Sequence, residues 1–329
     1  MTALFWLYSN YIKKREGKTM LEARQINKSF KKFQAVKDLS LHLEEGESVG
    51  LLGPNGAGKS TTISILSTLM QANSGSLIYK GEDCFKNPKP LRQALGLVPQ
   101  EIALYPELTA YENLKFFGKV YQLKGKDLED RIQTILEEIG LKDRQKERVT
   151  NYSGGMKRRL NIGVALIQAP QILVMDEPTV GIDPQSRSHI LDMVKKLNQS
   201  QGMTVLYTSH YMEEVEKLCD RVYIMDHGEI IAAGTIDDLK SILNNEKSIQ
   251  VDLVQKSSSF KEKLLDQANI NQVLDTERGY QLIASNEKET MTQVFEIAHQ
   301  LNLEINRLSI HNPSLEDVFL HLTGRRLRD

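Results

Sequence analysis

The sequence predicts a large α/β domain followed by a small α+β domain. Three observations carry that prediction. A glycine loop, Gly53-Pro54-Asn55-Gly56-Ala57-Gly58-Lys59-Ser60-Thr61, sits between an apolar run at 49–52 and a helical pattern over 62–69. A fully apolar run, Ile172-Leu173-Val174-Met175, has the character of a central parallel strand and ends in Asp176-Glu177. After Leu239 the pattern changes to strand, helix, strand, strand, helix, strand, the split β-α-β-β-α-β order.

The first strands follow from alternation. Residues 21–30 and 36–43 alternate apolar and polar and read as an antiparallel pair. Glu45-Gly46-Glu47 turns the chain into the strand before the glycine loop. The following helix carries Ile65, Leu66 and Leu69 at helical spacing. Residues 75–79 and 95–99 are further short strands, the second ending at Gln100. Residues 101–151 become helical, with Thr109-x-x-Glu112 as a capping box and one apolar stripe through Leu128, Ile132, Ile135, Leu136 and Ile139, stopped at Gly140. This reads as a helical subdomain inserted over about 101–157.

Ser153 caps the next helix, which runs to about Gln168. Helices over 185–199 and 212–218 flank a strand at 204–207 that leads to Ser209-His210. Residues 222–225 and 229–232 form a hairpin across Asp226-His227-Gly228. The tail assigns strands to 249–254, 273–275, 280–284 and 305–310, and helices to 260–268 and 287–301. Ser314-x-x-Asp317 then caps a last helix with Leu315, Val318, Phe319 and Leu322 on one side. The expected division is 1–19 as an N-terminal extension, 21–240 as the α/β domain and 241–329 as the α+β domain.

Composition bounds the function. At a net charge of −1, the chain has no bias toward nucleic acid or anionic lipid. Its two cysteines, Cys84 and Cys219, form no C-x-x-C pair, which suits a reducing cytosol. The histidines have no metal-binding spacing, so no metal site of protein ligands alone is expected. A membrane span needs about 20 apolar residues, and the longest candidate, residues 3–8, is far shorter. Lys13-Lys14-Arg15 follows that patch, which is the wrong order for a signal peptide. Residues 1–19 read either as a start codon placed too early or as an amphipathic anchor. Arg15-Glu16-Gly17 is encodable by AGG-GAG-GN, which looks like a ribosome-binding site shortly before Met20.

The chemistry lies in five places. Glycines let successive N–H groups of the loop turn toward a phosphate, and the helix dipole adds to that field. Lys59 is then the candidate for the β- and γ-phosphates, and the Ser60 hydroxyl for Mg²⁺. Gln100, Tyr152-Ser153-Gly154-Gly155-Met156, Asp176-Glu177 and His210 follow in order. Alone, a Gln is a surface residue, a Ser-Gly-Gly a loop and a His a structural residue. Two adjacent carboxylates after a buried strand are different, because burying them needs a cation or a catalytic task. Strand carboxyl ends are where open α/β sheets bind ligands.

Taken together, residues 21–240 resemble the nucleotide-binding domain of ATP-binding cassette (ABC) proteins. That implies a P-loop NTPase fold with a mixed sheet core, an antiparallel β subdomain and a helical insert. The segment from Gly53 to Thr61 resembles Walker A, and Ile172 to Asp176 Walker B. Gln100 resembles the Q-loop glutamine, Tyr152 to Met156 the signature motif, Asp183 the D-loop aspartate and His210 the switch histidine. Phe30 takes the place of the aromatic that stacks on adenine, with Phe33 close by and a core role open. The signature departs from the usual form at Tyr152 and Met156, while Ser153-Gly154-Gly155 is intact. The segments Tyr-Ser-Gly-Gly-Met-Lys-Arg-Arg, Asp-Glu-Pro-Thr-Val-Gly-Ile-Asp-Pro and Pro313 to Phe319 look like ATPase subunits of ABC-2-type, drug-resistance exporters.

The resemblance implies a homodimer or paired cassette in which each ATP lies between one copy's Walker A and the other's signature. Within it Glu177 would be the general base. Asp176, Ser60 and Gln100 would hold Mg²⁺, and His210 would sense the γ-phosphate. It also implies a separately encoded membrane permease, peripheral attachment at the cytoplasmic side of the membrane, and no nucleic-acid partner. Residues 101–107 are then the candidate coupling surface. The competing readings are an importer subunit, disfavoured by the mixed α/β tail, and a non-transport ABC protein, disfavoured by the single cassette and the absence of a coiled coil or basic stretch.

Overall fold

The computed structural model describes residues 19–243, 247–311 and 313–323. The expectation for 1–19 therefore lies outside the described residues, except that Thr19 already belongs to the first strand. The chain forms two compact units, divided between Thr235 and Ile236.

The first unit holds two sheets. Strands β1 (Thr19–Phe30) and β2 (Phe33–Glu44) pair antiparallel. With β4 (Ser74–Tyr79) and β5 (Glu82–Asp83) they make a four-stranded sheet in the order β2-β1-β4-β5. The second sheet contains β3 (Ser48–Leu52), β6 (Leu95–Val98), β7 (Ile172–Met175), β8 (Thr204–Ser209), β9 (Arg221–Asp226) and β10 (Glu229–Thr235). Its order is β10-β9-β3-β8-β7-β6, parallel throughout except for the β9–β10 hairpin. β3 and β7 are buried along their whole length, as strands covered on both faces must be. One core runs between the two sheets, from Leu21 and Val36 to Val49, Leu51 and Val174.

Helix α1 (Lys59–Leu66) follows the glycine loop, and α2 (Lys89–Ala94) precedes β6. The expected extension of α1 to Leu69 is not formed. Ser67 caps it by donating its hydroxyl to the Ile63 carbonyl, and Thr68 enters left-handed backbone at φ 58°. Leu69 is consequently 70% exposed and leaves the core.

The insert contains α3 (Ala110–Val120) and α4 (Gly125–Glu138), followed by α5 (Gly154–Leu166). The Thr109–Glu112 capping box is present in both directions. α5 ends two residues before the expected Gln168, with Ala169 turning the chain at φ 54°. α6 (Pro184–Gln201) and α7 (Met212–Leu218) flank β8 in sequence.

The second unit begins with α8 (Ile236–Lys240). It continues through β11 (Lys247–Leu253), α9 (Ser258–Leu265), β12 (Ile270–Asp275), β13 (Gly279–Ala284), α10 (Glu287–Gln300) and β14 (Ile305–His311). The strand order β12-β13-β11-β14, with every pair antiparallel, is the ferredoxin-like arrangement. Ile249, Val251, Leu282 and Ala284 bury against Phe260, Leu264, Val294 and Ile297. α11 (Leu315–Thr323) starts at Ser314, whose hydroxyl accepts the Asp317 N–H while Asp317 accepts the Ser314 N–H. Asp317 also reaches Ser248 and Gln281, which point to the sheet face opposite Ile249 and Leu282.

Candidate functional site

β3 delivers the chain into the glycine loop at the carboxyl edge of the parallel sheet. Glycine is required there by close approach. A Cβ on Gly53 would stand 2.3 Å from the Met225 carbonyl oxygen, and one on Gly58 would stand 2.4 Å from that of Ala35. Gly56 and Gly58 also take positive φ, at 79° and 105°. Lys59 opens α1 and is buried. Its ammonium donates to the carbonyls of Gly53 (2.9 Å) and Pro54 (3.1 Å) and lies 3.0 Å from Glu177 Oε1. Burial of a charged amine requires such a ring of oxygens. Asn55, Gly56 and Ser60 are exposed, while Pro54 and Ala57 are buried; Thr61 is intermediate.

β7 delivers Asp176 and Glu177, both buried. Thr208 Oγ1 on the neighbouring β8 donates to Asp176 Oδ1 (2.9 Å) and accepts the Glu177 N–H (2.9 Å). Glu177 sits in left-handed backbone at φ 44°, a conformation costing a non-glycine residue about 1–3 kcal/mol. Its second oxygen lies 3.3 Å from His210 Nδ1, close enough for an ion pair but without hydrogen-bond geometry. The His210 ring lies against Tyr211, its centroid 4.1 Å away and the planes tilted by 40°. Lys59, Asp176, Glu177 and His210 thus converge from β3, β7 and β8, as the ends of adjacent parallel strands dictate.

The remaining candidates stand apart from that cluster. The Gln100 side chain is exposed, and its backbone is held instead. Arg158 of α5 donates to the Pro99 (2.8 Å) and Gln100 (2.6 Å) carbonyls. Burial draws this guanidinium below its usual pKa. Ser153 caps α5 by accepting the Met156 N–H, and both Ser153 and Gly154 face solvent. Gly155 is pressed against α6, where a Cβ would lie 2.2 Å from Ser186 Oγ. Asp183 caps α6 by accepting the Ser186 N–H (2.9 Å), which holds its carboxyl below the usual range. Among the described residues, no hydrogen bond or ion pair joins Ser153–Gly155 to the phosphate loop.

Phe30 and Phe33 face each other across the β1–β2 end and are 44% and 64% exposed, so neither is core. The Lys28 ammonium lies over the Phe30 ring at 5.4 Å. The same hairpin carries Ala35, the residue that closes over Gly58.

Sequence reasoning missed Thr208, Arg158 and Met225. Strand period would have found Thr208, which shares a face with His210 two residues on. Nothing local marks the others.

Three comparisons agree with the fold. The ABC transporter family model matches residues 36–180, and the model for the C-terminal domain of DrrA1-3-like ATP-binding proteins matches residues 234–323. The chain is 48% identical to the linearmycin resistance ATP-binding protein LnrL of Bacillus subtilis, over 94% of this chain and 100% of that protein. It is 34% identical to the daunorubicin resistance ATP-binding protein DrrA3 of Streptomyces coeruleorubidus, over 90% of this chain and 94% of that one. Among solved structures, the dimeric post-hydrolysis state of the ATP-binding cassette MJ0796 bound to ADP and Pi matches with a TM-score of 0.60 and 27% identity, covering 66% of this chain and 98% of that one. Resistance and export relatives do not favour the importer or non-transport alternatives. The chain belongs to the ABC transporter ATP-binding proteins and is an ATP-hydrolysing subunit of the exporter type, working with a separate membrane component.

Proposed function

We propose that two copies of this chain clamp two ATP molecules head to tail, each ATP lying on one copy's phosphate loop beneath the other's Ser153-Gly154-Gly155. The observation that carries this reading is the contrast between the two turns. Lys59 is enclosed with Glu177 at 3.0 Å, whereas Ser153 and Gly154 crown a helix N-terminus that faces solvent. Phe30 would stack on the adenine beside the phosphate loop, with the loop N–H groups and Lys59 on the phosphates. Asp183 would set α6 against the signature turn.

Within each site, Glu177 orients and deprotonates the attacking water. Its distorted backbone and the Thr208 contact fix where the carboxylate points. His210, 3.3 Å from that carboxylate, holds it from the other side and reports on the γ-phosphate. The oxygen donors Ser60, Asp176 and Gln100 suit Mg²⁺, which binds through one or two carboxylates, water and phosphate rather than a cage of protein ligands. A bound Mg²⁺ would neutralise charge on the β- and γ-phosphoryl oxygens.

The motion passes to the permease through the insert. A groove of about 440 Å³ runs beside the Gln100 loop, lined by Leu69, Pro99, Ala103, Phe117, Tyr121 and Val164. Exposed Ile102, Tyr105 and Phe116 adjoin that segment in sequence or by ring contact. An apolar groove of this kind suits a short helix of a membrane subunit. Among the described residues, no helix is long and apolar enough to cross a membrane, so a partner would anchor the chain at the cytoplasmic face.

Glu177→Gln tests the central claim. Hydrolysis is expected to fall about 10²–10⁴-fold, while ATP binding persists and light scattering reports a dimer in ATP and Mg²⁺. A variant that hydrolyses at the wild-type rate, or stays monomeric at saturating nucleotide, overturns the reading.

A further inference from the structure

Behind the converging carboxylates lies a buried acid that this mechanism does not use. Glu214, on α7, is 3% exposed. It accepts hydrogen bonds from the hydroxyls of Thr179 (2.8 Å), Tyr207 (2.8 Å) and Ser209 (2.9 Å). Its Oε1, which Thr179 also reaches, lies 3.3 Å from Arg187 Nε, close enough for an ion pair but without hydrogen-bond geometry. A buried carboxylate is expensive unless its lone pairs are met, and here three hydroxyls donate to them while the guanidinium adds only its charge. Burial first and Glu214 second hold the Tyr207 phenol well above its usual pKa, so that it remains a donor.

The four partners belong to three functional segments. Thr179 is two residues beyond Glu177, across Pro178, whose ring stiffens the link. Ser209 precedes His210, and its oxygen also accepts the Tyr211 N–H (2.9 Å). Arg187 lies one turn into α6, the helix capped by Asp183, and its guanidinium covers the Tyr211 ring at 4.5 Å. Glu177 is held in left-handed backbone by Thr208 on its N–H side. Thr179 and Glu214 supply the hold on the other side, as a strained residue requires.

We propose that Glu214 is a positioning residue for hydrolysis, tying the Glu177 turn, the His210 loop and the Asp183 helix into one element. The proposal rests on Glu177 acting as the base. Glu214→Gln keeps the shape but places a donor nitrogen among hydroxyls that now donate to oxygen, and removes the charge facing Arg187. A misplacement of this kind costs up to about 100-fold in rate.

Steady-state hydrolysis and equilibrium ATP binding should be measured for wild type, Glu214→Gln, Glu177→Gln and the double variant. The expected result is a kcat about 10- to 100-fold lower in Glu214→Gln, with KM and ATP affinity unchanged within about twofold and the double variant no slower than Glu177→Gln. A kcat within twofold of wild type overturns the proposal. So does a double variant that loses the same further factor, since a merely structural defect acts whether or not the base is present. If Glu177→Gln itself hydrolyses like wild type, the fault lies in the assignment of the base instead. Should Glu214→Gln not fold, Thr179→Val removes one donor and carries the same split at about 3- to 10-fold; unchanged kcat there also overturns the proposal.

Discussion

Two glycine turns in this chain sit at helix N-termini, and they differ in how complete they are. The turn before α1 is closed over by its own chain, with Ala35 above Gly58, Met225 behind Gly53 and Glu177 on Lys59. The turn before α5 has only one side covered, by Ser186 and Asp183 against Gly155, and leaves Ser153 and Gly154 to solvent. Both offer N–H groups to an anion. Only the first gathers a lysine, two carboxylates and a histidine around itself. On the proposed dimer, the difference teaches that equivalent local chemistry would serve as a pocket or as a lid according to what the tertiary structure places around it.

The largest way to break the comparison is at Gly58. Alanine there meets both the positive φ and the Ala35 oxygen at 2.4 Å. Overpacking costs about 1–3 kcal/mol, which corresponds to about 5- to 150-fold in ATP affinity if the loop bears it. Calorimetric titration should show that loss even in a monomer.

The signature turn should respond differently. Gly155→Ala drives a methyl to 2.2 Å from Ser186 Oγ. We expect binding of ATP to the lone chain to hold within about twofold while hydrolysis falls about tenfold or more, since overpacking of about 1–3 kcal/mol is confined to the lid. Adding Ser186→Gly opens the space and should restore part of the rate. Equal loss of binding and hydrolysis would dissolve the distinction between pocket and lid.

The smallest effect concerns the thiols. Burial, chiefly, pushes Cys84 up to about 11, and Cys219 higher still. A raised thiol pKa means the contribution to stability is full below the unfolded value and is lost as pH rises toward the folded one. At pH 8 both should resist iodoacetamide in the native protein and react after denaturation, as mass spectrometry would read. Rapid native labelling of Cys219, which lies beside β3 at Gly50, would mean that the strand feeding the phosphate loop opens easily.

What the sequence revealed, it revealed locally. The phosphate loop, the caps at Thr109, Ser153 and Ser314, and the apolar run of β7 each declare themselves within a few residues, because capping and burial patterns are short-range. Leu69 was misread because apolar spacing continues past the point where Thr68 turns left-handed. Glu214 could not be read at all. Its partners Thr179, Ser209 and Tyr207 lie 35, 5 and 7 residues away, so only the folded sheet brings them to one carboxylate. Arg158 is likewise a basic residue in a basic run until α5 carries it under Gln100. The outward direction of Ser153 and Gly154 was visible only through resemblance, since nothing in a serine followed by glycines says which molecule it addresses.

The 3.0 Å contact between Lys59 and Glu177 has one more consequence. While the two hold each other, the carboxylate proposed as the base is occupied by an ammonium. If Lys59 binds the phosphates as proposed, an incoming polyphosphate would compete for that same ammonium and, by taking it, uncover the acid. On the proposed mechanism, arrival of fuel and readiness to burn it would then be a single event.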